Sequence, residues 1–230
     1  MKWLGKWLPL LNFRGSGDYW RQRYRLGGDS GEGSGGVWAD YKAQVLNAFV
    51  EEQDITDIIE FGCGDGRQLE LAAYPRYLGL DISPEAVALC RQRFAGDASK
   101  QFMLLDEYVG QAADLSLSLD VLFHLVEDGV YFDYLDRLFK AGRRFVVVYA
   151  TSAGNAPKTL RHVRHRPVET DIATRFPGFD RLTDLEAMLP APPGNSSGKT
   201  SPNASLVSSN ALAKIVCIRS SRSAMIVSRS

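Results

Sequence analysis

The sequence has few cysteines and no long hydrophobic run. The three cysteines, Cys63, Cys90 and Cys217, lie far apart, and no two of them have the C-x-x-C spacing of a zinc site. A sparse, odd-numbered set of cysteines does not form a disulfide framework. We therefore predict a reducing, cytoplasmic setting and no metal site. No stretch reaches the ~18 apolar residues of a membrane-spanning helix, and the sequence therefore predicts none.

The sequence also lacks an excess of charge of either sign. It has 27 basic and 27 acidic residues among 230, so its formal net charge is zero. This argues against a dedicated nucleic-acid binder, which usually carries a basic excess to meet phosphates. With 45% hydrophobic residues the chain can bury a large core, which excludes a wholly disordered protein. The length suits one domain with attachments.

Both ends of the sequence differ from its middle. Residues 1–13 place tryptophans and leucines on one helical face with lysines off it, which predicts either contact with a membrane surface or packing on the domain. Residues 27–36 are rich in glycine and predict either a lid or an idle linker. Residues 191–210 read as a flexible linker, and the apolar runs 213–218 and 224–227 are candidates for a closing strand. We therefore divide the chain into an N-terminal segment with a lid (1–36), a central domain (37–190) and a tail (191–230).

The central segment alternates between helix and strand patterns. Apolar runs predict strands at 58–61, 77–80, 101–105, 115–119 and 145–149. Apolar periodicity predicts helices at 38–50, 67–73, 84–94 and 130–141, with Ser83 as an N-cap, Pro84 in the first turn and Gly142 at a helix end. This order predicts an α/β fold with a doubly wound, mostly parallel sheet of the Rossmann-like type and helices on both faces.

The first predicted strand runs into a glycine-rich loop, Gly62-Cys63-Gly64-Asp65-Gly66. Glycines at such a turn let the backbone approach a ligand closely. A dinucleotide site of the form G-x-G-x-x-G would need a glycine at 67, where this sequence has Arg67. The G-K-[ST] ending of a P-loop is missing as well. The loop therefore favours a ligand without a pyrophosphate.

Acidic residues follow the next predicted strands. Asp81 lies nineteen positions after Gly62, the distance at which an acid can accept hydrogen bonds from ribose hydroxyls. Asp106 follows the third strand and Asp120 the fourth. Acids at strand ends without a cationic phosphate clamp suit a nucleoside such as S-adenosylmethionine, whose sulfonium is positive.

The segments 60–66, 80–83 and 114–125 resemble the class I S-adenosylmethionine-dependent methyltransferases, and the resemblance covers residues 17–170. The pattern of residues 19–35 resembles an uncharacterised bacterial subgroup of that family. The resemblance implies S-adenosylmethionine as the cofactor. It implies contacts from the loop to the methionine part, from Asp81 to the ribose and from Asp106 to adenine, and it places Asp120 near the methionine end and the acceptor. The cofactor-binding residues implied in this way are Glu60, Gly62, Cys63, Gly64, Gly66, Asp81, Ile82, Asp106 and Glu107.

His124 is the candidate general base. It follows Asp120 by four positions, and the unperturbed pKa of histidine lies near 6.5. A hydroxyl acceptor would need such a base, whereas a nitrogen or carbon acceptor needs little beyond alignment. The alternative is a histidine that packs under the cofactor and bonds only to the backbone. We predict His124 and Asp120 as the catalytic residues.

A basic cluster follows the fifth strand and is a candidate acceptor site. It contains Lys158, Arg161, His162, Arg164, His165 and Arg166. Arginine pairs well with carboxylate and phosphate, so Arg164, His165 and Arg166 predict an anionic acceptor such as an acidic glycan precursor. A solvated basic surface is the alternative. Tyr19 and Trp20 are predicted as an aromatic wall of the acceptor pocket or as core.

Taken together, the sequence predicts an enzyme that transfers a methyl group to a small-molecule or glycan acceptor. A different class of function, a cofactor-binding module without turnover that regulates a partner, stays open. An NAD or nucleotide-sugar enzyme is disfavoured by the glycine spacing. No nucleic-acid partner is predicted, and the oligomeric state stays open.

Overall fold

The computed structural model describes residues 13–151, 161–181 and 213–220. Its centre is one sheet of seven strands. The strands are β1 (Asp57–Phe61), β2 (Arg76–Asp81), β3 (Lys100–Leu104), β4 (Ala113–Leu119), β5 (Gly142–Thr151), β6 (Phe179–Arg181) and β7 (Ala213–Ser220).

The strands lie in the order β3-β2-β1-β4-β5-β7-β6. Strands β1 to β5 pair in parallel, and Glu60 of β1 lies between Gly79 of β2 and Leu117 of β4. Strand β7 is antiparallel to both β5 and β6. The chain order reverses between β1 and β4, and in open α/β sheets ligands bind at the carboxyl ends of the strands beside such a reversal.

Helices cover both faces of the sheet, as predicted. On one face Leu46 and Val87 belong to the same buried cluster as Ile58, and on the other Leu135 belongs to the same cluster as Ile59. Neighbouring residues of β1 thus face opposite cores, because side chains alternate along a strand. The helices are α1 (Ser16–Arg25), α2 (Gly36–Glu52), α3 (Pro84–Arg93), α4 (Asp128–Ala141) and α5 (Val168–Arg175).

Two predicted elements differ from the structure. The helix predicted at 67–73 is wrong, since only a single 3-10 turn forms there (Leu69–Leu71). Pro75 follows closely and disfavours helical backbone at Tyr74, which leaves too few residues for an α-helix. Strand β3 ends at Leu104, and Asp106 therefore lies in a short 3-10 turn (Leu105–Glu107) rather than directly at a strand end. The predicted cap of α3 is confirmed, because Ser83 Oγ accepts a hydrogen bond from Ala86 N (3.3 Å).

The sheet includes a part of the predicted tail, since β7 covers the apolar run at 213–218. The second run at 224–227, the linker at 191–210, Lys158 and residues 1–12 of the predicted membrane contact lie outside the described residues. In the ranges described above, no helix combines the length and hydropathy needed to cross a membrane.

Candidate active site

A cavity of about 300 Å³ opens at the carboxyl ends of β1, β2 and β4. It lies beside the reversal of strand order, where the sheet topology predicts a ligand. Many of the predicted site residues line it, and Lys42 and Gln68, which the sequence did not single out, line it too. The predicted residues in its wall are Trp20, Glu60, Gly62, Cys63, Gly64, Asp81, Ile82, Asp106, Asp120 and His124.

The glycine loop turns sharply above the end of β1. Gly62 and Gly64 have φ angles of 84° and 61°, in the left-handed region that favours glycine. A Cβ on Gly62 would lie 2.5 Å from Cγ2 of Val121, so a larger residue does not fit there. The backbone N–H groups of Gly62 and Cys63 both donate to the carbonyl oxygen of Leu80 (2.7 and 3.0 Å), which fastens the loop to the end of β2.

Asp81 is buried at the end of β2. Its two carboxylate oxygens accept hydrogen bonds from Gly64 N (3.0 Å) and Ser83 N (2.9 Å). Burial raises the pKa of Asp81 to about 6, although these backbone donors oppose the shift. The carboxylate thus joins the glycine loop to the start of α3 and lies in the cavity wall.

Glu60 is a second buried carboxyl group in the same wall. Its Oε2 accepts a hydrogen bond from the Tyr77 hydroxyl at 2.6 Å. Burial raises the pKa of Glu60 to about 7, while that hydrogen bond and the charge of Lys42 act in the opposite direction.

The wall contains two buried acceptor atoms without a hydrogen-bond partner among the described residues, Oδ1 of Asp120 and Oε1 of Gln68. Buried acceptors are normally paired. A ligand that brings donor hydrogens and positive charge would satisfy them. S-adenosylmethionine carries an ammonium group and a sulfonium, so the residues present fit this cofactor.

Helix α1 and the glycine-rich segment after it form a roof over the cavity. Ser16 donates from N (2.9 Å) and from Oγ (2.5 Å) to the Glu127 carboxylate. Ser30 donates from Oγ to Asp65 Oδ1 (2.8 Å) in the glycine loop. Arg21 donates from Nε to the carbonyl oxygen of Ile82 (3.2 Å). The roof is therefore fastened at three places to the elements that form the wall.

The two residues predicted for adenine have other partners in this structure. The Asp106 side chain is 77% exposed, and its Oδ2 lies 3.5 Å from Arg21 Nη2. Glu107 Oε2 accepts a hydrogen bond from Leu104 N (2.9 Å). Glu107 does not line the cavity, and Gly66 of the glycine loop does not line it either. Their contacts to a cofactor remain predictions.

His124 lies in the 3-10 turn after β4 (Leu122–His124) and lines the cavity. Its Nδ1 lies 3.2 Å from the carbonyl oxygen of His162. A carbonyl oxygen can only accept, so Nδ1 carries the hydrogen and the neutral ring keeps Nε2 as an acceptor. Burial, with a smaller effect from His162, lowers the pKa of His124 to about 3. The Trp20 ring meets the His124 ring edge-on, with centres 4.8 Å apart.

The basic cluster has structural partners outside the cavity. Arg166 is buried, its Nη1 lies 2.5 Å from Asp128 Oδ1, and its guanidinium lies 4.2 Å from the centre of the Tyr131 ring. Arg164 Nη1 lies 2.9 Å from the same Asp128 oxygen. These contacts hold residues 161–167 to the start of α4.

The remaining residues predicted for the acceptor also lie outside the cavity lining. The His165 ring stacks on Phe123, with centres 6.1 Å apart. Tyr19 is buried and stacks on His162 at 4.4 Å. The acceptor roles of Arg164, His165, Arg166 and Tyr19 therefore stay predictions, and Trp20 is the predicted acceptor residue that reaches the cavity.

Comparison with known proteins gives a family match and a set of similar folds. Residues 59–147 match the family model described as a methyltransferase domain. No curated protein matches the chain in sequence.

Two similar solved structures carry bound S-adenosylhomocysteine. Magnesium protoporphyrin IX methyltransferase from Synechocystis PCC 6803 is 17% identical, with 79% of this chain and 83% of that chain covered and a TM-score of 0.56. An N-methyltransferase from Bradyrhizobium japonicum WM9 is 15% identical, with 80% and 87% covered and a TM-score of 0.57. At these identities the likeness shows the fold.

Proposed function

We propose that the chain is a class I S-adenosylmethionine-dependent methyltransferase and that it transfers the methyl group to a small-molecule or glycan acceptor. The observation that carries this proposal is the roof over the cavity. Helix α1 is fastened to Glu127 and Ile82, and the segment after it to Asp65, and both contribute residues to the cavity wall, which narrows the access of a macromolecule. A small ligand fits beneath such a roof more readily than a folded surface does.

The apolar part of the cavity supports a ring-shaped acceptor. Trp20 and His124 meet edge to face, and Val121 and Leu125 lie beside them in the wall. Flat apolar side chains contact the faces of aromatic or sugar rings over a large area. One similar enzyme acts on magnesium protoporphyrin IX, a small molecule, which agrees with this proposal.

The charge of the cavity wall favours a neutral or cationic acceptor. Five carboxyl groups line it against two basic side chains, so an anion would meet repulsion. The prediction of an anionic acceptor depends on Arg164 and Arg166, whose ion pairs with Asp128 lie outside the cavity. The acidic residues are Glu60, Asp81, Asp106, Asp120 and Asp133, and the basic ones are Lys42 and Arg137.

The cofactor, when bound, supplies an electrophilic methyl group on a sulfonium. The task of the protein is alignment, which can contribute ~7–11 kcal/mol to lowering the barrier. Asp81 would hold the ribose hydroxyls. Glu60 and Asp120 would place negative charge near the ammonium and sulfonium. His124, whose neutral ring leaves Nε2 as an acceptor and whose pKa is about 3, would orient the acceptor by accepting a hydrogen bond, because so weak a base does not retain a proton.

Transfer of labelled methyl groups tests this function. The protein is incubated with methyl-labelled S-adenosylmethionine and, separately, with a small-molecule extract, RNA, and total protein from the source cells. We expect label in a small molecule or glycan, identified by mass spectrometry, and none with Asp81→Ala. Label in RNA or protein alone would overturn the proposed acceptor class. Cofactor binding without label in any pool would indicate the regulatory module instead.

A further inference from the structure

Lys42 is a lysine of α2 buried in the wall of the cavity, with 1% of its surface exposed. Its Nζ lies 2.5 Å from Asp120 Oδ2 and 5.0 Å from the centre of the Tyr149 ring. Burying an ammonium group is costly unless its charge is paired, and removing one partner of such a pair is costlier still. A buried lysine at a ligand cavity is therefore expected to have a specific task.

That task concerns the geometry of Asp120. This residue has a φ of 59°, a backbone conformation that residues other than glycine rarely adopt. Its N–H donates to the carbonyl oxygen of Tyr149 (3.0 Å). Lys42 engages Oδ2, and a Cβ on Gly33 of the roof would lie 2.8 Å from the same oxygen. Oδ1 is buried and has no partner among the described residues. One oxygen is thus held by protein and the other is left for a ligand.

We propose that Lys42 is a positioning residue, which holds Asp120 so that Oδ1 accepts a hydrogen bond at the place where the methyl group is transferred. Glu60 and Asp81 line the same wall, and without Lys42 their ionised forms would repel the Asp120 carboxylate away from this position. That the acceptor donates this hydrogen bond rests on the proposed function. The unpaired Oδ1 of Asp120 and the contact of Lys42 with Oδ2 do not depend on it.

Sinefungin tests the proposal without knowledge of the acceptor, because it carries a primary amine where the cofactor carries its methyl group. Calorimetry gives its affinity relative to S-adenosylhomocysteine, which has nothing at that place. We expect Asp120→Asn to lower this ratio by about 10- to 100-fold, the value of one hydrogen bond to a charged group. Lys42→Met should lower it by a similar factor, and the double variant no further than Asp120→Asn alone.

Lys100→Met is the matched control. Lys100 is a largely buried lysine of β3 whose Nζ donates to the carbonyl oxygen of Tyr74 (2.8 Å), and it lies outside the cavity lining. We expect this variant to keep the wild-type ratio. A wild-type ratio in Lys42→Met, or losses that add in the double variant, would overturn the positioning role.

Thermal unfolding guards against a variant that fails to fold. Lys42→Met leaves a buried carboxylate unpaired and should lower the unfolding temperature, and the double variant should recover part of the loss because neither charge remains. If Lys42→Met does not fold, the double variant is compared with Asp120→Asn, and a further fall in the sinefungin ratio counts against the proposal. Absence of transfer to small molecules with the expected ratios would overturn the proposed function and leave the positioning role standing.

Discussion

We expect Asp81 to make cofactor binding depend on pH. Burial raises its pKa to about 6, and ribose hydroxyls of the proposed cofactor would donate to the ionised form. We therefore expect the affinity for S-adenosylhomocysteine to rise as the pH is raised from about 5 to about 7. Calorimetry across this range checks the prediction, with Asp81→Asn as the variant that loses the dependence on this group. An equal pH dependence in Asp81→Asn would assign it to another group.

Glu60 should make the free protein less stable as the pH rises. Its pKa is about 7 in the fold against a usual 4.5, so the folded state holds a proton that the unfolded chain has already released. This contribution is fully present below pH 4.5 and is lost as the pH passes through about 7. Urea unfolding should show the free energy of unfolding falling by up to about 3 kcal/mol over this window. Glu60→Gln should flatten the fall, and an unchanged slope would contradict the assignment.

His124→Ala should separate binding from transfer. We expect affinity for S-adenosylhomocysteine to be unchanged and the transfer rate to fall about 100-fold, because the acceptor loses a group that orients it. The wild-type rate should show no titration near pH 6.5, since burial holds the pKa of His124 near 3. Full turnover by the variant would show that His124 has only a packing role.

The sequence predicts the position of a site residue best where that residue directly follows a recognisable strand. The place of Asp81 in the cavity wall could be predicted because this residue follows an apolar run at the right distance from the glycines. Lys42 was missed because a lysine within a helical pattern reads as solvated, and its partner Asp120 lies 78 positions away. The pKa of His124 was equally beyond the sequence, since it depends on burial and on His162 from a distant segment.

At the scale of elements, α1 should control how fast the cofactor leaves. Ser16 fastens this helix to Glu127, so Ser16→Ala removes the side-chain part of that contact. We expect faster release of S-adenosylhomocysteine, measured by stopped-flow with Trp20 among the fluorescent reporters in the cavity wall. Thr56→Ala is the control, because its hydroxyl donates to Asp114 Oδ2 (3.0 Å) away from the cavity. Equal release rates would show that opening of the roof does not limit exit.

Elements were predictable where one pattern decided them. The five parallel strands follow from apolar runs between turn residues, and the N-cap of α3 from Ser83 with Pro84. The prediction of a helix at 67–73 was wrong because its apolar residues fit a local helical pattern, whereas Pro75 limits the length of any helix there. Strand β6 was not foreseen, because three residues give too short a pattern.

At the scale of the whole molecule, the zero net charge conceals two separate charged regions. The cavity wall is acidic, and the segment at 161–167 is basic and bound to α4. Arg166→Met should lower the free energy of unfolding by about 2–3 kcal/mol, because the buried guanidinium loses its ion pair with Asp128 and its cation–π contact with Tyr131. Arg164→Met, at a side chain 48% exposed, should cost less than about 1 kcal/mol. Urea unfolding measures both.

The acceptor role predicted for the same arginines has its own test. Arg164→Glu should raise the Michaelis constant for the acceptor at low salt and much less at high salt if the arginine attracts an anion. If the Michaelis constant changes neither with the substitution nor with the salt concentration, the basic cluster contributes to stability and not to acceptor binding.

The place of β7 constrains how the chain is assembled during synthesis. This strand comes last in the described sequence yet lies between β5 and β6. Until it has been made, the backbone of β5 offers an open row of hydrogen-bonding groups beside apolar side chains such as Val146 and Val148. An unpaired edge of this kind invites association between chains. A nascent or shortened protein that stops before residue 213 would thus expose the edge of β5 to association with other chains.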